Sequence, residues 1–528
     1  MPQPLAPATL RFLRESGSMH ALIDVRDAGE YNAAHIAGAS LLPRRQIEFR
    51  MERLVPSRAV QVVVCDDDGR RASLAARTLE RMGYGRVGVL DGGINAWVTA
   101  GCPTEWGMNV LSKDFGEMVE VRHHVPTIEA AELGRRLRSG EEMVILDSRT
   151  PEEYQRFCIP GGRSLPGGEL ALRIGEIVRE RPNATVVVNC AGRTRSIIGA
   201  RVVQRMGLPV LSLKNGTAGW QLAGLELERG AGRLELPEPS AEVRAAAEAY
   251  ALRLAQEDGV RQLSIGALRA RLSQARPEPL YLVDVRTEAE FAAGHIPGFW
   301  WFPGGQAVQR ADDVVAVPGG TIVFCCDGIV RSTVAASWYR QMGFSNVYAV
   351  SGGVQAWLAS GGELEIGPAE LRPAGLTEAE AATPALAATA LAGTIESERP
   401  PVVLFVGTSD AFARGHIPGA HWLPRGWLEL RISGVAPARD QGIVTSDEDG
   451  RQAALAAATL QQMDYEAVSR LEGGMAAWRA AGLPVELGLS GVMQAPNDVV
   501  ALGPDRSMAE MIHYLRWEEA LGRKYEQM

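Results

Sequence analysis

The chain has 528 residues, 46% apolar and 22% charged, with 54 Lys and Arg against 63 Asp and Glu and a net charge of −9. That balance leaves no basic footprint for nucleic acid, and no apolar run approaches the ~18 residues of a membrane span. The opening MPQPLAPATLRFL lacks a charged segment followed by an apolar core, so no export signal is read and a cytoplasmic location is expected.

At about 150 residues per domain the length allows three or four domains, and the pattern along the chain selects four. Residues 1–105 carry an apolar strand ending in Asp24-Val25-Arg26, a loop His35-Ile36-Ala37-Gly38 and a second strand ending at Cys65. An Ala-rich helix follows, then Gly92-Gly93 and Trp97. Residues 118–230 repeat this order with Asp147-Ser148-Arg149, Cys158-Ile159-Pro160-Gly161, Cys190, Gly216 and Trp220. Residues 258–365 repeat it with Asp284-Val285-Arg286, His295-Ile296-Pro297-Gly298, Cys326, Gly352-Gly353 and Trp357. Residues 374–488 hold a degraded copy: Phe405-Val406-Gly407, His416-Ile417-Pro418-Gly419, Ser446, Gly473-Gly474 and Trp478. The spacing from first marker to loop position agrees to within two residues in all four. A repeat this long is an independent domain and not a solenoid unit.

Linkers are expected at 103–117, 231–258 and 365–376, with a connecting helix over 238–256. Residues 379–393 take the place of the first helix in copy four, and a tail from 489 to 528 contains one amphipathic helix that docks on a domain face. Strands that are apolar throughout and separated by helices predict an α/β fold, each domain a small, mostly parallel sheet with helices on both faces.

The loop after the second strand carries the chemistry. A thiol at a strand end, before a tight turn and a helix N-terminus, meets converging backbone N–H groups and the positive end of the helix dipole. That setting lowers a thiol pKa and holds an anion beside the sulfur. Copy two is best equipped: Cys190-Ala191-Gly192-Arg193-Thr194-Arg195-Ser196 offers a close turn, two guanidiniums and two hydroxyls. The six cysteines are too sparse for a disulfide framework, and no Cys/His spacing suggests zinc, so neither a metal nor a cofactor is expected.

These markers, in order and repeated four times, make the chain resemble four fused rhodanese (thiosulfate sulfurtransferase) domains. The resemblance implies that the Cys190 thiolate takes the outer sulfur of thiosulfate and passes it from a persulfide to cyanide or a cellular thiol. It also implies that Arg193 and Arg195 bind the sulfonate oxygens while loop N–H groups stabilise developing charge. A persulfide carrier serving partner proteins is the non-enzymatic alternative. A protein sulfur acceptor and a homo-oligomer are both left open.

The four loops are unequal. Copies one and four carry one residue more between the loop position and the methionine ending the next helix. If it lies in the loop, copy one reads Cys65-x5-Arg71, the spacing of the cysteine phosphatases that share this fold. Asp66, Asp67 and Asp68 would repel any anion there and raise the thiol pKa, so Cys65 is the weakest candidate. In copy three the helix count selects Cys326 over Cys325 as a second nucleophile, with Arg331 as its anion contact. Copy four, with Ser446 and an acidic loop, is read as scaffold. Cys158 and Cys102 are read as spectators, and the Asp-x-Arg pairs as structural.

Overall fold

The computed structural model describes residues 3–274, 277–368, 372–501 and 503–526. They form two compact units, Met1–Met108 with Leu371–Val500 and Asn109–Glu370 with Ala501–Met528. Copies one and four therefore share a unit, and copies two and three share the other. Each copy builds a five-stranded parallel sheet of the same strand order. In copy two that order is Thr127–Ile128, Val210–Leu213, Thr185–Asn189, Met143–Asp147 and Arg163–Ser164. The run Val186-Val187-Val188 is buried at the sheet centre because both faces are covered. One face packs on Leu133, Ile159 and Trp220. The other packs on helices Leu170–Glu180 and Thr194–Arg205, and its core continues through Tyr250 and Leu254 to Val334 and Trp338 of copy three.

Several expected linkers are helical. Residues 103–117, read as linker, run into a helix Val110–His123, and the connecting helix spans Ala241–Glu257. Copy four opens with two helices, Leu376–Ala382 and Ala388–Ile395, on either side of a short strand, where one was expected. Copies two, three and four are thus each preceded by a helix that packs on the helix following the central loop. The apolar stripe of the tail forms Met508–Glu526, which packs along Val110–His123 in the same unit.

Within the first unit, copies one and four meet through reciprocal ion pairs. Arg44 donates to Glu429 at 2.7 Å and Arg425 to Glu48 at 2.8 Å. All four charged side chains are largely buried, so each pair must satisfy charges that have left water.

Candidate active site

Strand register fixes which residues are equivalent. Across the two central strands Asp24 faces Cys65, Asp147 faces Asn189, Asp284 faces Cys325 and Phe405 faces Ser446. The next residue opens the loop in every copy: Asp66, Cys190, Cys326 and Asp447. Each gives its carbonyl to the helix after the Gly turn, accepting from Ile94, Thr217, Val354 and Met475 respectively. In copy two this contact needs Gly216, at φ +52°, because a Cβ there would collide with the Cys190 carbonyl.

This register corrects the sequence reading of copies one and four. Cys65 is the last residue of strand Gln61–Cys65, packed with Leu22, Val63 and Leu90 in the core, and burial followed by Asp24 pushes its thiol well up. Ser446 likewise ends strand Ile443–Ser446. The extra residue lies in neither loop nor helix. It arises from counting a strand residue as the loop position, so Cys65-x5-Arg71 is not a phosphatase-type loop.

What replaces the thiol in those copies is a carboxylate. Asp66 accepts from the backbone N–H groups of Gly69, Arg71 and Ala72, the last two at 2.7 and 3.3 Å. Asp447 accepts from Gly450 and Gln452 at 2.8 and 3.0 Å. The cradle expected for a substrate anion is filled from within the chain. Burial, then Asp449, raises the Asp447 carboxyl to about 7.

Copies two and three keep the thiol. Cys190 is 2% exposed, and its Sγ lies 3.5 Å from Ser196 Oγ, which in turn donates to the Arg193 carbonyl at 2.8 Å. Cys326 is fully buried, with Sγ 3.2 Å from Ser332 Oγ. Burial first, and Asp327 second, raise the Cys326 thiol to about 11, against Arg331 and Ser332. Cys325 ends strand Thr321–Cys325, as the helix count required.

The arginines are not free. Arg195 makes two bonds to Glu153, at 2.6 and 2.8 Å. Burial opposes its charge, but Glu153, and after it Cys190 and Asp147, hold its pKa above the ordinary value. Arg193 is bound by Glu117 at 2.6 and 2.7 Å and by Glu120, with Glu519 at 3.5 Å. Arg331 pairs with Glu169, Glu290 and Asp327. Ala191 accepts from Ala218 through its carbonyl, and Thr194 is buried against Gly116 of the preceding helix. Gly192 faces Tyr514, Leu515 and Glu518 of the tail helix.

The Asp-x-Arg markers hold the strand ends. Arg149 donates to Asp147 at 2.9 and 2.7 Å and to the Phe157 carbonyl, with Arg26 and Arg286 bonded alike to their own aspartates. Cys158 is buried beside Tyr154 and Ala231. Glu117, Tyr514 and Glu518 escaped the sequence reading because they lie outside the four copies, and Glu120 because it precedes the first of the recurring markers. The one-turn spacing of Glu117 and Glu120, both facing Arg193, was the available signal.

A match to the rhodanese-like domain covers residues 6–100, 129–223, 264–360 and 390–481, most of the chain. The chain belongs to the rhodanese-like family. The chain is similar to the crystal structure of a thiosulfate sulfurtransferase from Pseudomonas aeruginosa. That likeness has a TM-score of 0.90 at 36% identity and covers 99% of this chain and 98% of the other. The chain is also 26% identical over 252 residues to a thiosulfate sulfurtransferase of Azotobacter vinelandii, which spans 40% of this chain and 90% of that one. An HTH-type transcriptional regulator of Mycobacterium tuberculosis is 37% identical over 106 residues, 20% of this chain and 45% of the regulator. No helix among the described residues is long and apolar enough to cross a membrane.

Proposed function

We propose that the protein is a sulfurtransferase that works through a persulfide on Cys190, with thiosulfate or a related sulfane-sulfur donor as substrate. The observation that carries this reading is the contrast among four equivalent loop positions: a carboxylate fills the N–H cradle in domains 1 and 4, whereas domains 2 and 3 present a thiol there. Names of similar proteins, the thiosulfate sulfurtransferases of Pseudomonas aeruginosa and Azotobacter vinelandii, support it.

In the first step the Cys190 thiolate attacks the outer sulfur of thiosulfate. A new S–S bond forms, the old one breaks, and sulfite leaves with its electron pair. In the second, cyanide or a thiolate attacks the outer persulfide sulfur and the Cys190 thiolate leaves. No net oxidation occurs in either step. The positive end of helix Thr194–Arg205 would stabilise charge on sulfur, and Ser196 Oγ, which accepts from the Cys190 thiol and donates to the Arg193 carbonyl, would have to turn its proton toward the thiolate to do the same. Arg195, already paired, contributes field at the thiol and holds the loop. Cys326 is the secondary site, its thiol raised to about 11 by burial and Asp327 and so scarcely ionised at neutral pH.

Steady-state turnover of thiosulfate and cyanide by the full chain, compared with Cys190→Ser, tests the proposal. Turnover abolished by the substitution supports it. Persulfide formation without turnover to any small acceptor would favour the carrier reading.

A further inference from the structure

The tail helix Met508–Glu526 lies outside the four domain repeats, yet it reaches the nucleophile loop of domain 2. Gly192, two residues after Cys190, packs against it so closely that an added Cβ would stand 3.1 Å from Glu518 Oε2 and 3.7 Å from the Tyr514 ring. Glu518 is 2% exposed. Its Oε1 accepts from the Tyr514 hydroxyl at 2.7 Å, while its Oε2 has no hydrogen-bond partner. A buried carboxylate oxygen with no donor is costly, and the charge that offsets it most directly is the buried Lys113 ammonium, on which Glu518 is the largest charge acting.

The electrostatics around it are unusual for a site meant to admit a dianion. Arg193 is already bound by Glu117 and Glu120, and Arg195 by Glu153. Lys113 lies over the rings of Tyr514 and Trp517, at 4.6 and 5.0 Å from their centroids. Burial lowers the Lys113 ammonium to about 8, with Glu518 opposing the shift. Glu518 is thus added to a loop whose arginines are already matched by carboxylates.

Resting on the assignment of Cys190 as nucleophile, we propose that Glu518 is a specificity-determining residue of this site. Its carboxylate, laid on Gly192 by the tail helix, disfavours doubly charged donors such as thiosulfate and favours neutral or singly charged ones, the class of organic persulfides and polysulfides. Charge beside the loop acts on the binding of the donor and leaves the sulfur chemistry unchanged.

The test uses the full chain with Glu518→Gln and Glu518→Asp. Alkylation of Cys190 by anionic iodoacetate and by neutral iodoacetamide is followed by peptide mass spectrometry, alongside kcat/KM for thiosulfate and for an organic persulfide. Glu518→Gln should raise the iodoacetate-to-iodoacetamide rate ratio, and kcat/KM for thiosulfate, by roughly tenfold, with a much smaller change for the organic donor. Glu518→Asp, which keeps the charge, should retain the wild-type ratio. An unchanged ratio in Glu518→Gln, or equal acceleration of both reagents, would overturn the proposal, the latter by making the helix a steric cover. A shifted ratio without turnover of either donor would uphold charge selection by Glu518 and reject the sulfurtransferase reading instead.

Discussion

Arg195, buried, and Glu153, partly exposed, form a two-point ion pair that ties the helix after the nucleophile loop to the helix after the Asp-x-Arg marker, and the pair recurs as Arg71–Glu30 and Arg331–Glu290. Its presence in domain 1, which has no loop thiol, identifies a fold-holding element. In domain 4 both partners are gone together, replaced by Gln452 and Ala411. Glu153→Ala removes the two-point partner of a buried guanidinium that still faces Asp147, and with Glu153 partly open to solvent the loss is about 1–3 kcal/mol. Hydrogen exchange of helix Thr194–Arg205 should accelerate accordingly, with sulfur loading falling in parallel. Unaltered protection would show the pair to be dispensable.

Domain 1 offers a second test. Removing the Asp66 carboxylate strands the N–H groups of Gly69, Arg71 and Ala72. Asp66→Ala should destabilise helix Arg70–Arg81 by about 1–3 kcal/mol, read as faster exchange of its amides. Cys65→Ser, by contrast, should leave turnover within about twofold, since Cys65 is a core strand residue. Loss of activity in Cys65→Ser would restore it as a nucleophile.

Domain 4 carries a pH signature. The Asp447 carboxyl stands near 7 in the folded chain, above its ordinary value near 4. A raised folded pKa means stability fully present below the unfolded value and lost as pH rises through 7. Urea unfolding of the unit containing domain 4 should therefore shift to lower midpoint between pH 5 and 8, and Asp447→Asn should flatten that dependence. An equal slope in the variant would assign the effect elsewhere.

The Cys326 thiol should react slowly at neutral pH. With its pKa raised to about 11, Cys326 is ionised in only about one molecule in a thousand at pH 8. Its alkylation should rise about tenfold per pH unit from 8 to 10. A plateau near neutrality would contradict the burial argument.

The domain count, the α/β class and the Cys190 and Cys326 loops were legible because each depends on local order that the chain writes four times. The register of domains 1 and 4 was not. A cysteine or serine beside an aspartate reads as a loop residue when strand ends cannot be counted, and only the pairing of Asp24 with Cys65 and Phe405 with Ser446 moves both into the sheet. Arg193 and Arg195 read as anion contacts because their carboxylate partners lie far along the chain. Glu117 approaches from a stretch that composition marked as linker, and Glu153 from a separate capping box. The docking of the tail helix was expected from its apolar stripe, but its target was invisible until the helices were packed.

The central claim is that the chain carries sulfur on Cys190. Incubating the full-length protein with thiosulfate, trapping persulfides by alkylation and mapping the added sulfur by peptide mass spectrometry tests it most directly. One extra sulfur is expected mainly on the Cys190 peptide, a lesser amount on the peptide containing Cys326, and none on Cys65. A persulfide confined to Cys65, Cys158 or Cys102, or no added sulfur with thiosulfate or an organic persulfide as donor, would contradict it.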